Sequence, residues 1–323
     1  MAKEQILEKG EVINNTYETS FFIGNGAFGE VYRVKHKLMG LQAMKIFKEN
    51  YVGKSNLEDV ITEGKILIRL NHKNIVKVYE INTFNKNNRE FYFMTMSFVS
   101  GESLSELLKR KIYIEAPAAT AIMIDVLEGL SHANDHNLIA HRDITPDNIL
   151  LSYDEHKPMG ILTDFGIAVL LDKLKKMPDA AGKFLYMAPE SLSLGVTTQG
   201  SDVFSAGVVL YKMLTSQHPW EYDFDNYKNQ KTHEEIAIMI NSSRRLNPKK
   251  PSLYNETVSK ELDEIILKSL EGNMENRYRS ASEFLEDLKS LNELPGDEED
   301  DDGDLGQSLE EAYWKEQNLN SII

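Results

Sequence analysis

The amino-acid pattern of the chain changes once, close to residue 100, from strand-like to helical. Between residues 17 and 99, runs rich in β-branched and aromatic residues, such as "GEVYRVKH" and "REFYFMTMSFV", are separated by Gly or Asn, which predicts strands. From residue 103, apolar residues recur at helical spacing, as in "AATAIMIDVLEGLSHAND" and "SDVFSAGVVLYKMLT". The sequence therefore predicts an α+β protein with a small strand-rich lobe followed by a large, mainly helical lobe.

Residue boundaries for this organisation follow from the same pattern. The change between lobes is expected near Ser100-Gly101, and the start of a polar tail near Pro295-Gly296. The expected segments are an N-terminal extension (1–16), an N-lobe (17–99), a C-lobe (100–292) and an acidic tail (293–323).

Most of the net negative charge lies in the tail. The 323-residue chain carries a net charge of −15, of which residues 293–323 contribute −10. Such a tail is expected to be disordered and solvated. It does not fit a calcium-binding loop, because with Gly303 at the sixth position the twelfth is Leu309 instead of an acid. Folding back onto the chain and binding a partner are both compatible with this composition.

Composition disfavours several classes of function. Nucleic acid and anionic membranes are not expected partners, because both parts of the chain are net negative. The absence of cysteine excludes disulfides and cysteine-ligated zinc. No apolar run approaches the ~18 residues of a membrane span, and "MAKEQILEKG" lacks a signal-peptide pattern. A soluble, cytoplasmic protein is therefore expected.

A glycine-rich loop joins two of the predicted strands. Gly24, Gly26 and Gly29 form a GxGxxG pattern in "IGNGAFGEVY". Dinucleotide-binding folds share this pattern, but there the loop opens a helix and an acid follows about twenty residues later. Here strand-like segments flank the loop, and a cation, Lys45, follows in "AMKIF". We therefore expect a hairpin whose backbone approaches phosphates.

A lysine in an apolar strand is costly to bury without an anion, so Lys45 also needs a protein partner. Ser55 and Glu58 form a capping-box signature, which predicts one helix within the N-lobe. Glu63 lies on the face of this helix that also carries Leu67. An ion pair between Lys45 and Glu63 is therefore expected.

Two further motifs supply oxygen-bearing side chains. "HRDITPDNIL" contains Asp143 and Asn148, and "LTDFGIA" places Asp164 at the end of an apolar, strand-like run. Oxygens from Asn148 and Asp164 suit Mg²⁺, which prefers a few protein oxygens together with nucleotide phosphates. Asp143 then remains to orient an attacking hydroxyl and accept its proton.

These motifs, in this order, resemble those of eukaryotic-type (Hanks-type) serine/threonine protein kinases, including soluble bacterial members, over residues 17–290. The resemblance implies a bilobal protein kinase fold and ATP-dependent phosphoryl transfer to Ser or Thr hydroxyls of protein substrates. Asp143 is then the catalytic base, while Asn148 and Asp164 ligate Mg²⁺. Lys45, oriented by Glu63, holds the α- and β-phosphates.

The same resemblance implies a nucleotide pocket. Its gatekeeper is Met96, and its hinge runs from Ser97 to Val99. The implied nucleotide contacts are Ile23, Gly24, Gly26, Gly29, Val31, Ala43, Lys45, Met96, Ser97, Val99 and Leu150.

Several structural contacts are also implied. Glu190 of "MAPE" would pair with Arg277, and Asp202 would hold the backbone of the catalytic loop. The spine that joins the lobes would consist of Leu67, Val78, His141 and Phe165.

One catalytic position departs from the family pattern. In serine/threonine members the position of Thr145 is a lysine that neutralises the γ-phosphoryl group, and that of Lys183 is a threonine. The two residue types look exchanged. We expect Lys183 to return the ammonium to the pocket and Thr145 to receive its hydrogen bond, because charge near the transferring phosphoryl group is a large energetic term. The alternative is that Lys183 is an exposed loop residue and that activity is weak.

The activation segment departs as well. Residues 166–190 contain no Ser or Thr, and Tyr186 is their one hydroxyl. Phosphorylation of a loop Ser or Thr therefore cannot provide an anion for Arg142. We expect Asp172 or Asp179 to serve instead, or a partner to order the loop.

Three alternatives to a serine/threonine kinase fit the sequence less well. Tyrosine-specific members resemble "HRDLAARN", which "HRDITPDN" does not match. A small-molecule kinase is expected to lack the pair formed by Glu190 and Arg277. The alternative from another class is a pseudokinase that binds nucleotide and acts as a scaffold with little activity, which the retained catalytic residues disfavour.

Overall fold

The structure is a computed structural model that describes residues 5–26, 29–47, 67–136, 140–153, 158–165, 182–222 and 232–291. Contacts divide the chain into two compact units, with a boundary between Val99 and Ser100. In the described part of the chain, no helix has the length and apolar character needed to cross a membrane. Most of the helix predicted around Glu63 and the whole acidic tail lie outside the described residues.

The N-terminal unit is built on an antiparallel sheet, as the strand-like texture predicts. Its strand order is β1-β2-β3-β4-β6-β5, so consecutive strands are neighbours except where β6 lies between β4 and β5. The strands are β1 (Val12–Ile13), β2 (Tyr17–Asn25), β3 (Gly29–His36), β4 (Gly40–Phe47), β5 (Val78–Lys86) and β6 (Arg89–Ser97).

The expected N-terminal extension is partly integrated into this sheet. Leu7 and Ile13 are buried in the same core cluster as Tyr32, Met44 and other residues of the sheet. The Lys86 ammonium fixes the segment by donating to Ile6 O (2.8 Å) and Glu11 Oε2 (2.6 Å). Residues 5–16 therefore cover an apolar sheet face, which the short polar N-terminal sequence does not indicate.

The glycine-rich loop joins β2 to β3 as an antiparallel hairpin, which confirms the predicted strand–loop–strand context. Gly24 pairs with Val31, and Gly26 N donates to Gly29 O (2.9 Å). A Cβ on Gly29 would lie 2.1 Å from Ile46 O, so only glycine allows β3 to approach β4 at this point.

The C-terminal unit is mainly helical. Within its described residues it also contains a small antiparallel sheet, in the order β7-β8-β9. Its elements are β7 (Gly101–Ser103), α1 (Leu104–Arg110), α2 (Ala116–Asp135), β8 (Ile149–Ser152), β9 (Met159–Leu162), α3 (Pro189–Leu194), α4 (Gln199–Thr215), α5 (His233–Ser243), α6 (Lys260–Ser269) and α7 (Ala281–Leu291).

Helix α4 forms the core of this unit. It begins at a capping box formed by Thr198 and Ser201, and nearly every residue that follows is buried. A Cβ on Gly207 would lie 2.1 Å from Ser269 Oγ, so glycine permits the close contact between α4 and the end of α6. The buried helix provides a rigid base for the loops that carry the candidate site.

Candidate active site

Two residues of the candidate site have strained backbones. Arg142 has φ of 72° and Asp164 has φ of 62°, in the left-handed region that non-glycine residues rarely adopt. Strain of this kind persists only where the surrounding structure enforces it, and it is concentrated at functional sites. The sequence motifs alone do not indicate it.

Asp202 holds the catalytic-loop backbone, as the resemblance implies. Its carboxylate accepts hydrogen bonds from the backbone N–H of His141 (2.5 Å) and of Arg142 (2.9 Å). Burial raises the pKa of Asp202 to about 7, although these two N–H donors and the Arg142 charge act in the opposite direction. The rigid helix α4 thereby fixes the residue that precedes Asp143.

His141 connects the catalytic loop to the end of β9. Burial lowers the pKa of His141, so the imidazole is neutral. Its Nε2 lies 3.0 Å from Thr163 O, and its Nδ1 accepts from the backbone N–H of Asp143 (3.3 Å), which places the proton on Nε2. The ring also contacts Phe165 at 4.3 Å between centroids. His141 and Phe165 are the two predicted spine residues that belong to the C-terminal unit, and they are in contact.

Asn148 is positioned by Asp143 and by β9. Its Nδ2 donates to the backbone carbonyl of Asp143 and to Asp143 Oδ2, both at 2.8 Å. Its own backbone carbonyl accepts from Thr163 N (3.0 Å), the residue before Asp164. Because the amide nitrogen faces Asp143, the side-chain oxygen of Asn148 is the atom left to meet a cation. An amide oxygen and a carboxylate are hard ligands of the kind that Mg²⁺ prefers, so the donor set fits this ion.

Lys183 lies where the exchange hypothesis requires it. The residue begins a single 3₁₀ turn, Lys183–Leu185, and its ammonium forms an ion pair with Asp143 Oδ2. The side chain of Lys183 is 30% exposed, and that of Asp143 is 9% exposed. The ammonium therefore lies at the carboxylate of Asp143 and remains partly exposed to solvent.

The hydrogen bond expected between Lys183 and Thr145 is not formed, which corrects that part of the prediction. Thr145 is buried, and its hydroxyl oxygen has no hydrogen-bond partner among the described residues. The ammonium binds the carboxylate of Asp143 instead, because a charged acceptor forms a stronger hydrogen bond than a neutral hydroxyl.

Glu190 and Arg277 form the predicted ion pair. Arg277 Nη1 and Nη2 donate to the two carboxylate oxygens at 2.9 and 3.2 Å, and both side chains are buried. Arg277 Nη1 also donates to Gly200 O (2.9 Å), and Ser201 donates to Glu190 (2.8 Å). Every charge of the pair is thus compensated within the C-terminal unit.

In the N-terminal unit, four predicted nucleotide contacts share one face of the sheet. Val31 pairs across strands with Lys45, and Ala43 pairs with Met96. Directly paired residues point to the same face, and so do residues two apart, so these side chains are neighbours. Lys45 is 3% exposed, which confirms that this cation is buried. Glu63, its expected partner, lies outside the described residues.

The other predicted nucleotide contacts differ in exposure, in hydrogen bonding and in the unit to which they belong. The Ser97 amide already donates to Lys77 O (2.8 Å), so it is committed to the protein. Ile23 is 45% exposed on β2, whereas Leu150 is half-buried on β8 of the other unit. Asp172 and Asp179, the expected anions for Arg142, lie outside the described residues.

Sequence reasoning missed one group near the site. Arg244 follows α5 and donates to the backbone carbonyls of Leu185 (2.8 Å) and Met187 (2.5 Å). It lies in the polar stretch "NSSRRLNPKK", which carries no periodicity or motif that would single it out. Only the folded chain shows what this arginine contacts.

The fold and this set of side chains define the class of protein. A strand-rich unit presents a buried lysine beside a glycine hairpin. A helical unit presents Asp143 and Asn148 before β8, and Asp164 just after β9. Comparison with protein families matches residues 17–288 to the protein kinase domain. The chain therefore belongs to the protein kinase family, whose members in general use ATP and Mg²⁺.

Known proteins similar to the chain agree with this assignment. Calcium-dependent protein kinase 4 of Plasmodium falciparum is 34% identical over 219 residues, covering 66% of this chain and 40% of the relative. Serine/threonine-protein kinase PrkC of Bacillus subtilis is 28% identical over 287 residues, covering 87% of this chain and 41% of the relative. The chain thus spans about two fifths of the length of these curated relatives.

Solved structures share the fold. The crystal structure of the Mycobacterium tuberculosis PknI kinase domain has a TM-score of 0.64 to this chain at 22% sequence identity, covering 88% of this chain and 99% of that one. At this identity the likeness establishes the kinase fold and no more.

Proposed function

We propose that the chain is an ATP- and Mg²⁺-dependent serine/threonine protein kinase in which Lys183 supplies the ammonium missing at Thr145. The observation that carries the proposal is the ion pair between Lys183 and Asp143, the residue with the position of a catalytic base. Relatives named serine/threonine-protein kinases, such as PrkC, support protein hydroxyls as the acceptors.

Asp143 is the proposed acceptor of the hydroxyl proton. In the proposed reaction the hydroxyl oxygen attacks the γ-phosphorus of ATP, the bond to the β–γ bridging oxygen breaks, and ADP leaves. The hydroxyl proton passes to Asp143. Among the described residues, Asn148 and Lys183 both contact Oδ2 of Asp143, which leaves Oδ1 to meet that hydroxyl.

Charge compensation falls to the lysines and the metal. Mg²⁺, held by the side-chain oxygens of Asn148 and Asp164, would neutralise phosphate charge. Lys183 keeps a fixed ammonium beside Asp143, where charge develops on the transferring phosphoryl group. Within the N-terminal unit, Lys45 is a buried cation of the kind that binds nucleotide phosphates, and the Gly24–Gly29 hairpin offers backbone that can approach a phosphate closely.

The test is phosphoryl transfer from labelled ATP, with Mg²⁺, to a mixed library of Ser and Thr peptides. We expect Lys183→Ala to lower kcat by about 10²-fold, the typical cost of removing one preorganised donor from a transition state. The exchange variant T145K/K183T should restore most of the loss. Asp164→Ala is the inactive control.

The outcomes distinguish an active kinase that uses Lys183, an active kinase that does not, and a nucleotide-binding scaffold. Unchanged kcat in Lys183→Ala would remove the proposed role of Lys183 and leave the kinase assignment in place. A wild-type protein that binds ATP but transfers no more phosphate than Asp164→Ala would instead favour the scaffold.

Thr145→Val sharpens this test. The structure gives the Thr145 hydroxyl no hydrogen bond among the described residues, so the isosteric valine should leave kcat within about 2-fold of wild type and cost no stability. A loss comparable to that of Lys183→Ala would show that the hydroxyl contacts Lys183 during the reaction, as the sequence suggested.

A further inference from the structure

A single guanidinium gathers the backbone that follows Lys183. Arg244 Nη1 donates to Met187 O at 2.5 Å. Its Nη2 donates to Leu185 O at 2.8 Å and lies 3.4 Å from Phe184 O. Three of the four carbonyls between residues 184 and 187 therefore point at this one side chain.

These carbonyls accept hydrogen bonds from Arg244, and the short local helix does not use them. The 3₁₀ turn Lys183–Leu185 is closed by Tyr186 N, which bonds to Lys183 O (3.0 Å), so its bonds do not use the carbonyls of residues 184, 185 and 187. Backbone carbonyls away from water need donors. A planar guanidinium offers five donors in a fixed fork, which a lysine could not match.

Arg244 is itself held rigidly. Its guanidinium lies 5.0 Å from the ring centroid of Phe204 and 5.2 Å from that of Trp220, and those two rings are stacked. Its Nε donates to Tyr222 OH (3.2 Å), and Trp220 Nε1 donates to Leu246 O (2.8 Å). The guanidinium of Arg244 is therefore held by residues of α4 and of the chain that follows it, and the segment after α5 is fixed by Trp220.

Arg244 contacts backbone carbonyls, a phenol and aromatic faces, and among the described residues it forms no ion pair. Burial lowers the pKa of Arg244, but a guanidinium titrates so far above neutral pH that it stays charged. A half-buried charge used on backbone acceptors instead of a carboxylate has a desolvation cost, which its role in defining the path of that backbone would explain.

We infer that Arg244 is a positioning residue for Lys183, fixing the backbone from which the Lys183 ammonium reaches Asp143. Lys183 has a long, flexible side chain that is 30% exposed, so its productive placement depends on where its Cα is held. This inference rests on the proposed role of Lys183 in phosphoryl transfer. It adds a residue outside the kinase motifs to the catalytic apparatus.

A double-mutant cycle tests the inference with the peptide-library assay. We expect Arg244→Ala to lower kcat by about 10-fold or more, because small displacements of a catalytic group have effects of this size. The KM for ATP should stay within about 2-fold. In the Lys183→Ala background, Arg244→Ala should lower kcat by no more than about 2-fold, because the group it positions is already absent.

Arg245→Ala is the matched control, since Arg245 is the next residue and is exposed. It should change kcat in neither background. If Arg244→Ala does not fold, Arg244→Lys keeps the charge with fewer donors. It should give an intermediate loss of kcat that also disappears in the Lys183→Ala background.

The inference is overturned if the Arg244 variants lower kcat equally with and without Lys183, or if they leave kcat unchanged. The single variant Lys183→Ala separates this failure from failure of the proposed function. If Lys183→Ala is strongly impaired and the losses multiply, only the role of Arg244 is removed. If Lys183→Ala matches wild type, the role of Lys183 itself is wrong.

Discussion

Two ion pairs anchor the segment from Lys183 to Glu190, one at each end, and they differ in design. Glu190 and Arg277 are 8% and 0% exposed and share two hydrogen bonds. Lys183 and Asp143 form a single contact in which the lysine is 30% exposed. The buried pair has further partners in Gly200 and Ser201. The first pair has the character of a structural anchor, and the second leaves its charge accessible to a substrate.

The largest effect should come from breaking the buried pair. Arg277→Ala leaves Glu190 charged, buried and short of donors, so we expect a loss of about 3–5 kcal/mol in the free energy of unfolding. Urea denaturation followed by circular dichroism measures it. Arg279→Ala, an exposed arginine in the same "NRYRS" stretch, should change the free energy by no more than about 0.5 kcal/mol. A loss below about 1 kcal/mol for Arg277→Ala would contradict the anchor.

The pH dependence of the free energy of unfolding should show an effect of intermediate size at Glu190. Burial alone would raise the pKa of Glu190, but the hydrogen bonds and charge of Arg277 outweigh it, so the pKa lies below the ordinary value. A carboxyl with a depressed folded-state pKa stabilises the fold above its unfolded pKa of about 4.3, and this stability is lost as pH falls through the folded value. Wild type should therefore lose its advantage over Glu190→Gln as pH falls below about 4. A difference in unfolding free energy that stays constant from pH 7 to pH 3 would exclude this linkage.

The smallest effect on stability should come from the accessible pair. Lys183→Ala removes an ammonium that solvent already screens, so the free energy of unfolding should fall by less than about 1 kcal/mol while kcat falls strongly. The same urea titration measures it, with Lys249→Ala as the control for an exposed ion pair. A destabilisation as large as that of Arg277→Ala would mean that Lys183 is a structural residue and would erase the contrast between the two pairs.

Features that depend on local sequence were predicted, whereas a contact that depends on distances in the folded chain was not. Among the described residues, the strand and helix segments, the glycine hairpin, and the pairing of Glu190 with Arg277 were predicted correctly. Periodicity, turn chemistry and family motifs can all be read directly from the sequence. The sequence also placed Lys183 near Asp143. It misassigned the hydrogen bond of Thr145, because the choice between two nearby acceptors depends on distances that a motif does not contain.

The α+β organisation and the protein kinase family could be read from the sequence alone, and so could the residues that we propose bind phosphate and Mg²⁺. Tertiary structure decided that residues 5–16 cover the sheet, that Arg142 and Asp164 adopt strained backbones, and that Arg244 binds the carbonyls after Lys183. The physical reason is the separation along the chain of the residues that make each contact. Periodicity and motif spacing act over a few residues, whereas these contacts join parts of the chain that only folding brings together, for instance residues 244 and 187.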